Sequence, residues 1–331
     1  MGSFARKITT ILIVLLLLLV LALLMGLAFG STGGIREVWH LLINSDQDND
    51  TLRAIIWQIR LPRVILAAVT GATLSLGGLV FQALLRNPLA EPYILGVSGG
   101  SAVGAISGML LGLTIFPGVA LTAFAGSMFT LLLVLGLASG HLSTRRDTLL
   151  LGGVMINAFY SAVITFLISL SPKASQVHQI LFWLMGDFSM QTPEQLIILT
   201  PVLPCMIIIY ILARPMNLLL LGEESAASMG VDVRLIRLIL LSVTSLMVSL
   251  VVCQAGLVGF VGLTIPHIFR MLLGADHRLL IPACVLGGAS YLIGCDLLAR
   301  TIASNGELPV GIITALVGAP LFIFLLWRSK R

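Results

Sequence analysis

Runs of apolar residues long enough to cross a bilayer recur along this chain with little between them, and that repetition leaves few folds open. A run of roughly 20 such residues matches the hydrocarbon core of a membrane. Inside that core every backbone N–H and C=O must find a partner within the protein, which only helices and closed barrels provide. About ten windows fit the length, near 8–30, 64–85, 93–115, 117–139, 149–170, 193–213, 235–254, 257–273, 279–298 and 308–327. The window at 257–273 is short and rich in glycine. Hydrophobic residues make up 58% of the 331 and charged residues 10%, where a soluble domain carries about 25% charge. The connections are short, so the reading is all-α: one polytopic bundle over 1–331, with no separate soluble domain.

The first apolar run follows Arg6 and Lys7. It is longer than the roughly 7–15 residues of a secretory signal core and reads as a retained span. With ten spans both termini share a side. That side collects thirteen of the nineteen basic residues, Arg6, Lys7, Arg86, Arg145, Arg146, Arg214, Arg234, Arg237, Arg270, Arg278, Arg328, Lys330 and Arg331. Arg36, Arg53, Arg60, Arg63, Lys173 and Arg300 fall on the other. Positive charge marks the cytoplasmic face, so both termini are expected there, and the net charge of +5 calls for no nucleic acid partner. Cys205, Cys253, Cys284 and Cys295 sit in or beside apolar windows without a CxxC pair, as packing residues do.

Catalytic chemistry is sparse. The lysines are Lys7, Lys173 and Lys330, none preceded by glycine, so a GxxxxGK[ST] phosphate loop cannot form. The five histidines lack metal-ligand spacing, and no metal site is expected. If ATP powers this protein, a partner subunit binds it with its magnesium. Asp296 is the clearest acid within a span. It precedes Arg300 by four residues, the favourable order for an ion pair on a helix. So little intramembrane charge argues against an ion-coupled secondary transporter, and nothing clusters as an enzyme site would.

The connections are more informative. Arg86-Asn87-Pro88-Leu89-Ala90-Glu91-Pro92 is a polar turn broken by two prolines, each of which disfavours helix in the residue before it. After it, Gly96, Gly100, Gly104, Gly108 and Gly112 recur every four residues, a stripe that admits a neighbouring backbone, within one subunit or across a dimer seam. Gly78-Leu79 precedes Arg86 by the interval at which Gly262-Leu263 precedes Arg270, a faint internal echo. The outer connection 171–192 holds an apolar stretch around Trp183, too short to cross and suited to lying at the interface. On the inner side, 214–234 places Glu223 and Glu224 ahead of Ser225, Ala226, Ala227, Ser228 and Met229, with Gly230 as a stop. That pattern predicts a short surface helix suited to docking.

Taken together, RLPR at 60–63, Gln82, RNPLAEPYILGVSGG at 86–100, GFVGLTIPHIFR at 259–270, Asp296 with Arg300, and ELPVGIITA at 307–315 resemble the permease subunit of FecCD-type ABC importers. These are type II importers for iron–siderophore complexes, haem and cobalamin. The resemblance implies a homodimer in the bacterial inner membrane with a path between its subunits. It also implies two ATPase subunits below and a periplasmic binding protein above. The fifth and tenth spans would line the path, with Asn157, Tyr160, Ser161, Thr165 and Thr314 as candidates. Leu218, Leu221, Gly222 and the helix through Gly230 match the segment that couples to the ATPase. Arg60, Arg63 and Arg300 match outer arginines that meet acids on the binding protein. Arg86, Asn87, Pro88, Glu91, Pro92, Pro266, His267, Arg270 and Asp296 are read as structural motif positions. An iron–siderophore cargo is expected first, with haem or cobalamin as the alternative.

Overall fold

The structure, a computed structural model, describes residues 2–29, 54–113, 116–139, 146–171, 173–189, 192–302 and 307–329. Expectations for the outer connection before residue 54, and for Arg145, Lys330 and Arg331, lie outside these. Among the described residues every regular element is helical: α1 (Gly2–Ala28), α2 (Leu61–Leu85), α3 (Val97–Leu110), α4 (Gly118–Ser139), α5 (Arg146–Ser169), α6 (Ala174–Leu184), α7 (Val202–Ile211), α8 (Ala213–Leu221), α9 (Glu223–Ser228), α10 (Val233–Ala255), α11 (Val261–Leu273), α12 (His277–Ile302) and α13 (Val310–Ser329). A π-helical turn, Ile55–Arg60, runs into α2, and a 3-10 segment, Pro193–Leu199, precedes α7. Seven helical stretches are long and apolar enough to cross a membrane, and shorter apolar stretches in α3, α11 and α13 bring the set to the ten expected windows, in order.

The bundle is organised around α2, which packs on α1, α10, α11 and α12 and is buried along nearly its whole length. In lipid, burying apolar surface does not drive helices together, so close backbone contact has to. Gly71 meets α12 so tightly that a Cβ would lie 2.1 Å from the carbonyl of Gly288. Gly78 meets α11 in the same way, with 1.9 Å to the carbonyl of Gly262. The glycine stripe of α3 is used inside the subunit: Gly100, Gly104 and Gly108 lie against Gly126 and Thr122 of α4. The intrasubunit reading of the stripe therefore holds at these three positions.

At 14 and 13 residues, α3 and α11 span only about 20 Å, short of the roughly 30 Å hydrocarbon core. The chain ahead of each is non-helical and lodged in protein. The Tyr93 hydroxyl donates to the Val258 carbonyl (3.1 Å) and accepts from the Val258 N–H (3.2 Å). The Phe260 N–H reaches the Glu91 carboxylate. Beside them, the first N–H groups of α13 find acceptors at the end of α6, Val310 on Gly186 (2.9 Å) and Gly311 on Met185 (3.0 Å). Irregular backbone at such depth is tolerated only where protein covers it, and here Ala90, Leu95 and Val258 are all buried.

Within 171–192 the helix α6 forms around Trp183, exposed or half-buried at every residue but one. Ile180 is fully buried with Ile106 and Met109, and the following turn caps α13.

A β-branched residue at the α2–α11 crossing should force the helices apart. Gly78→Val is expected to cost at least the 1–3 kcal/mol or so of an overpacked core, whereas Gly294→Ala, whose added methyl meets nothing within 4 Å, should leave stability unchanged or slightly raised. Thermal unfolding of the purified variants in one detergent compares them, and equal melting temperatures would remove the crossing from this account.

Candidate functional site

Three places gather the residues singled out by sequence: the helix ends around Asp296, the 214–234 connection, and the exposed sides of α5 and α13. At the first of these, Asp296 is fully buried and pairs with Arg63 (2.9 Å) and Arg300 (3.1 Å). Arg63 also bonds Glu307, just ahead of α13. Arg300 donates to the carbonyls of Gly26 and Phe29, and Arg60 to those of Leu27 and Ala28. The last carbonyls of a helix have no partner within it, so two arginines cap α1 while the carboxylates tie α2, α12 and the entry to α13 together.

The geometry corrects the expectation of an exposed cationic docking face. Arg60, Arg63 and Arg300 are only 4–5% exposed, and their guanidiniums are engaged inside the chain. The Asp296–Arg300 pair read from the i, i+4 spacing is present. Its extension to Arg63 and Glu307 was hidden, because those residues lie far apart in sequence.

On the other side, α8 and α9 meet at Gly222, whose φ of 124° makes a corner few other residues could adopt. The expected short helix forms as Glu223–Ser228, and Gly230 follows in the left-handed region. Glu223 pairs with Arg237 (2.6 Å) and Arg86 donates to the Leu219 carbonyl (2.6 Å). The base of α8 is pinned through Asn217, which donates to Asp276 (2.6 Å) and accepts from the His277 backbone N–H (2.8 Å). Arg278, with Asn217 adding, holds the Asp276 carboxyl down to about 2 against the opposing effect of burial. Leu221, Glu224, Ser225, Ala227, Ser228, Met229 and Gly230 face outward, Leu218 is half-buried, and Ala226 is fully buried. The sequence could not separate Ala226 from Ala227.

The path candidates divide. Thr314 is fully buried, and the Tyr160 hydroxyl is bonded to that of Thr130 (2.7 Å). Asn157 donates to the Tyr93 carbonyl. These three point into their own bundle. Ser161 and Thr165 are exposed on α5, where Met155, Phe159 and Phe166 are exposed on another side of the helix, and α13 exposes Leu316, Ile323 and Phe324.

Among the motif residues, Asn87 accepts from the Leu89 N–H, Pro92 packs on Gly262, and the His267 ring lies edge-on to Phe322 of α13. Pro266 is buried inside α11. Gln82 bridges the two motif halves, donating to the Gly262 carbonyl (3.1 Å) and accepting from Arg270 (3.0 Å). A cavity of about 480 Å³ lies beside α6, with Ser175, His178, Asp187 and Gln254 among its polar lining and Phe182 and Trp183 among the apolar. Among the described residues no group of histidine, cysteine and carboxylate side chains is placed to hold a metal, and the four cysteines are free and buried.

Comparison with known proteins agrees with this architecture. Residues 14–328 match the family model described as the FecCD transport family. The chain is 44% identical over 277 residues, 83% of each chain, to the vitamin B12 import system permease protein BtuC of Klebsiella pneumoniae. It is 43% identical over 83% of its length to that of Escherichia coli strain HS, of which 84% is covered. A solved structure described as an inward-facing conformation of a metal-chelate type ABC transporter superposes with a TM-score of 0.87 at 34% identity, covering 97% of this chain and 99% of that one. PsaBC from Streptococcus pneumoniae, at 17% identity and a TM-score of 0.55 over 87% of this chain and 95% of that one, shares the fold alone.

Removing one member of a buried ion network leaves its partners charged and unpaired, at about 3–5 kcal/mol. Asp296→Ala is therefore expected to lower the unfolding temperature sharply, and Arg63→Glu, which sets a third carboxylate among two, at least as far. Glu307→Gln, at a partly exposed position, should cost much less. Melting curves in lipid nanodiscs give the ranking, and an Asp296→Ala protein as stable as the parent would show that the network holds nothing together.

Proposed function

The chain belongs to the FecCD transport family, and on that premise we propose that it is the membrane-spanning permease of a type II ATP-driven importer for a cobalamin-type metal chelate. The observation that carries the cargo is the 44% identity, over 83% of both chains, to permeases named for vitamin B12 import. It favours cobalamin over the iron–siderophore expected first from sequence. The metal-chelate description of the structural neighbour fits either cargo.

In this reading two copies enclose the path, and the exposed apolar faces of α5 and α13 supply its walls and the lipid-facing surface. Ser161 and Thr165 are the sequence candidates left to face the path. Termini and the α8–α9 corner lie on the cytoplasmic side, where two ATPase subunits seat against Leu221, Ala227, Ser228 and Met229. A delivery protein docks on the outer face. The buried arginines serve that face by holding the ends of α1, α2 and α12 in register, not by presenting charge. The chain itself contributes no ATP chemistry, since it has no lysine in a phosphate loop.

Reconstituted in liposomes with its ATPase and binding protein, the permease should import cobalamin in an ATP-dependent way and carry ferric siderophore poorly. The reverse preference would return the cargo to the siderophore class. Flux by the permease alone would overturn the importer reading.

Coupling is tested at neighbouring alanines. Ala227→Trp, on the exposed side, should weaken ATPase co-purification by about tenfold, the equivalent of about 1.4 kcal/mol, with the permease's own melting temperature unchanged. Ala226→Trp should lower the melting temperature itself, because Ala226 has no exposed surface. Undiminished ATPase capture by Ala227→Trp would mean that α9 is not the contact.

A further inference from the structure

One helix reaches from the α8–α9 corner to the ion network around Asp296. With 26 residues, α12 is about 39 Å long, and each of its ends is bonded to a different neighbour.

At its start the neighbour is α8. The Asn217 side chain donates to the Asp276 carboxylate (2.6 Å). Its oxygen accepts from the backbone N–H of His277 (2.8 Å) and from the ring Nδ1 (2.7 Å). Asp276 in turn closes the first turn of α12, its carbonyl accepting from Leu279 and Leu280 and its carboxylate from the Arg278 N–H. His277 is buried, so water does not compete for these bonds. One half-buried side chain of α8 therefore grips the beginning of α12 through three contacts.

Near its other end α12 is joined to the entry of α13. Asp296 pairs with Arg63, which also bonds Glu307. The Leu308 N–H donates to the Ala299 carbonyl of α12 (3.2 Å). Glu307 and Leu308 stand immediately before α13, which starts at Val310. Between the two ends α12 is packed along α2, with Gly288 against Gly71. Pro282 removes one bond from the helical ladder, but Ile281 and Ala283 on either side of it are buried, so protein encloses the break.

Coupling between distant sites needs an element whose position both sites bias, and α12 on α2 is placed to be one. We propose that Asn217 is a positioning residue for transport: it carries movement of the α8–α9 corner into α12 and, through Glu307 and Leu308, into α13. The inference rests on the importer reading above, in which the ATPase seats at that corner and α13 borders the path. There the ATPase meets Leu221, Ala227, Ser228 and Met229, whereas Asn217 faces α12. Loss of Asn217 therefore separates two properties that a contact residue would lose together, the grip on the ATPase and the use made of its hydrolysis.

The complete importer, with ATPase and binding protein, is reconstituted in liposomes, and cargo uptake and phosphate release are measured in the same vesicles. The cargo is cobalamin, or ferric siderophore if the parent prefers it. Asn217→Ala should lower cargo imported per ATP hydrolysed by about tenfold, the scale of one lost hydrogen bond to a charged group, with ATPase co-purification at the parent level. Asn217→Asp, which sets two carboxylates face to face, should lower it further. Adding Asp276→Asn to that variant should restore the ratio, because the pair re-forms with donor and acceptor exchanged. Glu307→Ala, at the far end of α12, should lower the same ratio without touching ATPase capture. A parent-level ratio in Asn217→Ala or in Glu307→Ala overturns the inference. So does a loss that merely follows ATPase capture or melting temperature, as a purely structural Asn217 would give. Should Asn217→Ala fail to assemble, Glu307→Ala decides by the same criterion. A parent complex without ATP-driven uptake defeats the importer reading and the inference with it, while a parent and an Asn217→Ala complex that couple equally defeat the inference alone.

Discussion

The hydrogen-bonding demand of backbone in hydrocarbon governs this molecule more than any single side chain. Two apolar helices are too short to reach across, and the chain ahead of each must therefore be solvated by protein. The Tyr93–Val258 exchange and the Glu91–Phe260 contact do this. They require the RNPLAEP segment and the GFVGL segment, far apart in sequence, to lie side by side. The α2–α11 crossing at Gly78 and Gly262 brings them there. Ala90 and Pro92, which look like parts of a loop signature, are thus interior, while Arg86, Pro88 and Leu89 stay exposed.

The same demand explains how charge is handled. Asp296, Arg63 and Arg300 would be expensive singly at such burial. As a set that also caps the carbonyls of α1, they satisfy one another and a helix end together. Each of the three arginines, Arg60 included, serves a carboxylate, a carbonyl or both.

Much of the fold was legible in the sequence because membrane spans announce themselves by length and hydropathy. All ten windows carry helix, including the short, glycine-rich one at 257–273. The Asp296–Arg300 pair followed from helical spacing, and the α9 helix from its acidic start and glycine stop. What was not legible depended on tertiary neighbours. Exposure could not be assigned to Arg60 and Arg63, whose partners come from α1 and from Glu307, nor to Ala226 against Ala227, which differ only in which way one short helix turns. Tyr160 and Thr314 looked like polar lining in apolar spans, yet each is satisfied inside its own bundle. The role of Asn217, joining α8 to Asp276 and His277, carried no local pattern at all.

The end-to-end meeting of α6 and α13 has a consequence for how the chain is made. The carbonyls of Met185 and Gly186 emerge from the ribosome long before Val310 and Gly311, the N–H groups they will accept. Until α13 is made, these two carbonyls lack the partners they have in the folded chain. A chain cut short before α13 would therefore leave that junction open.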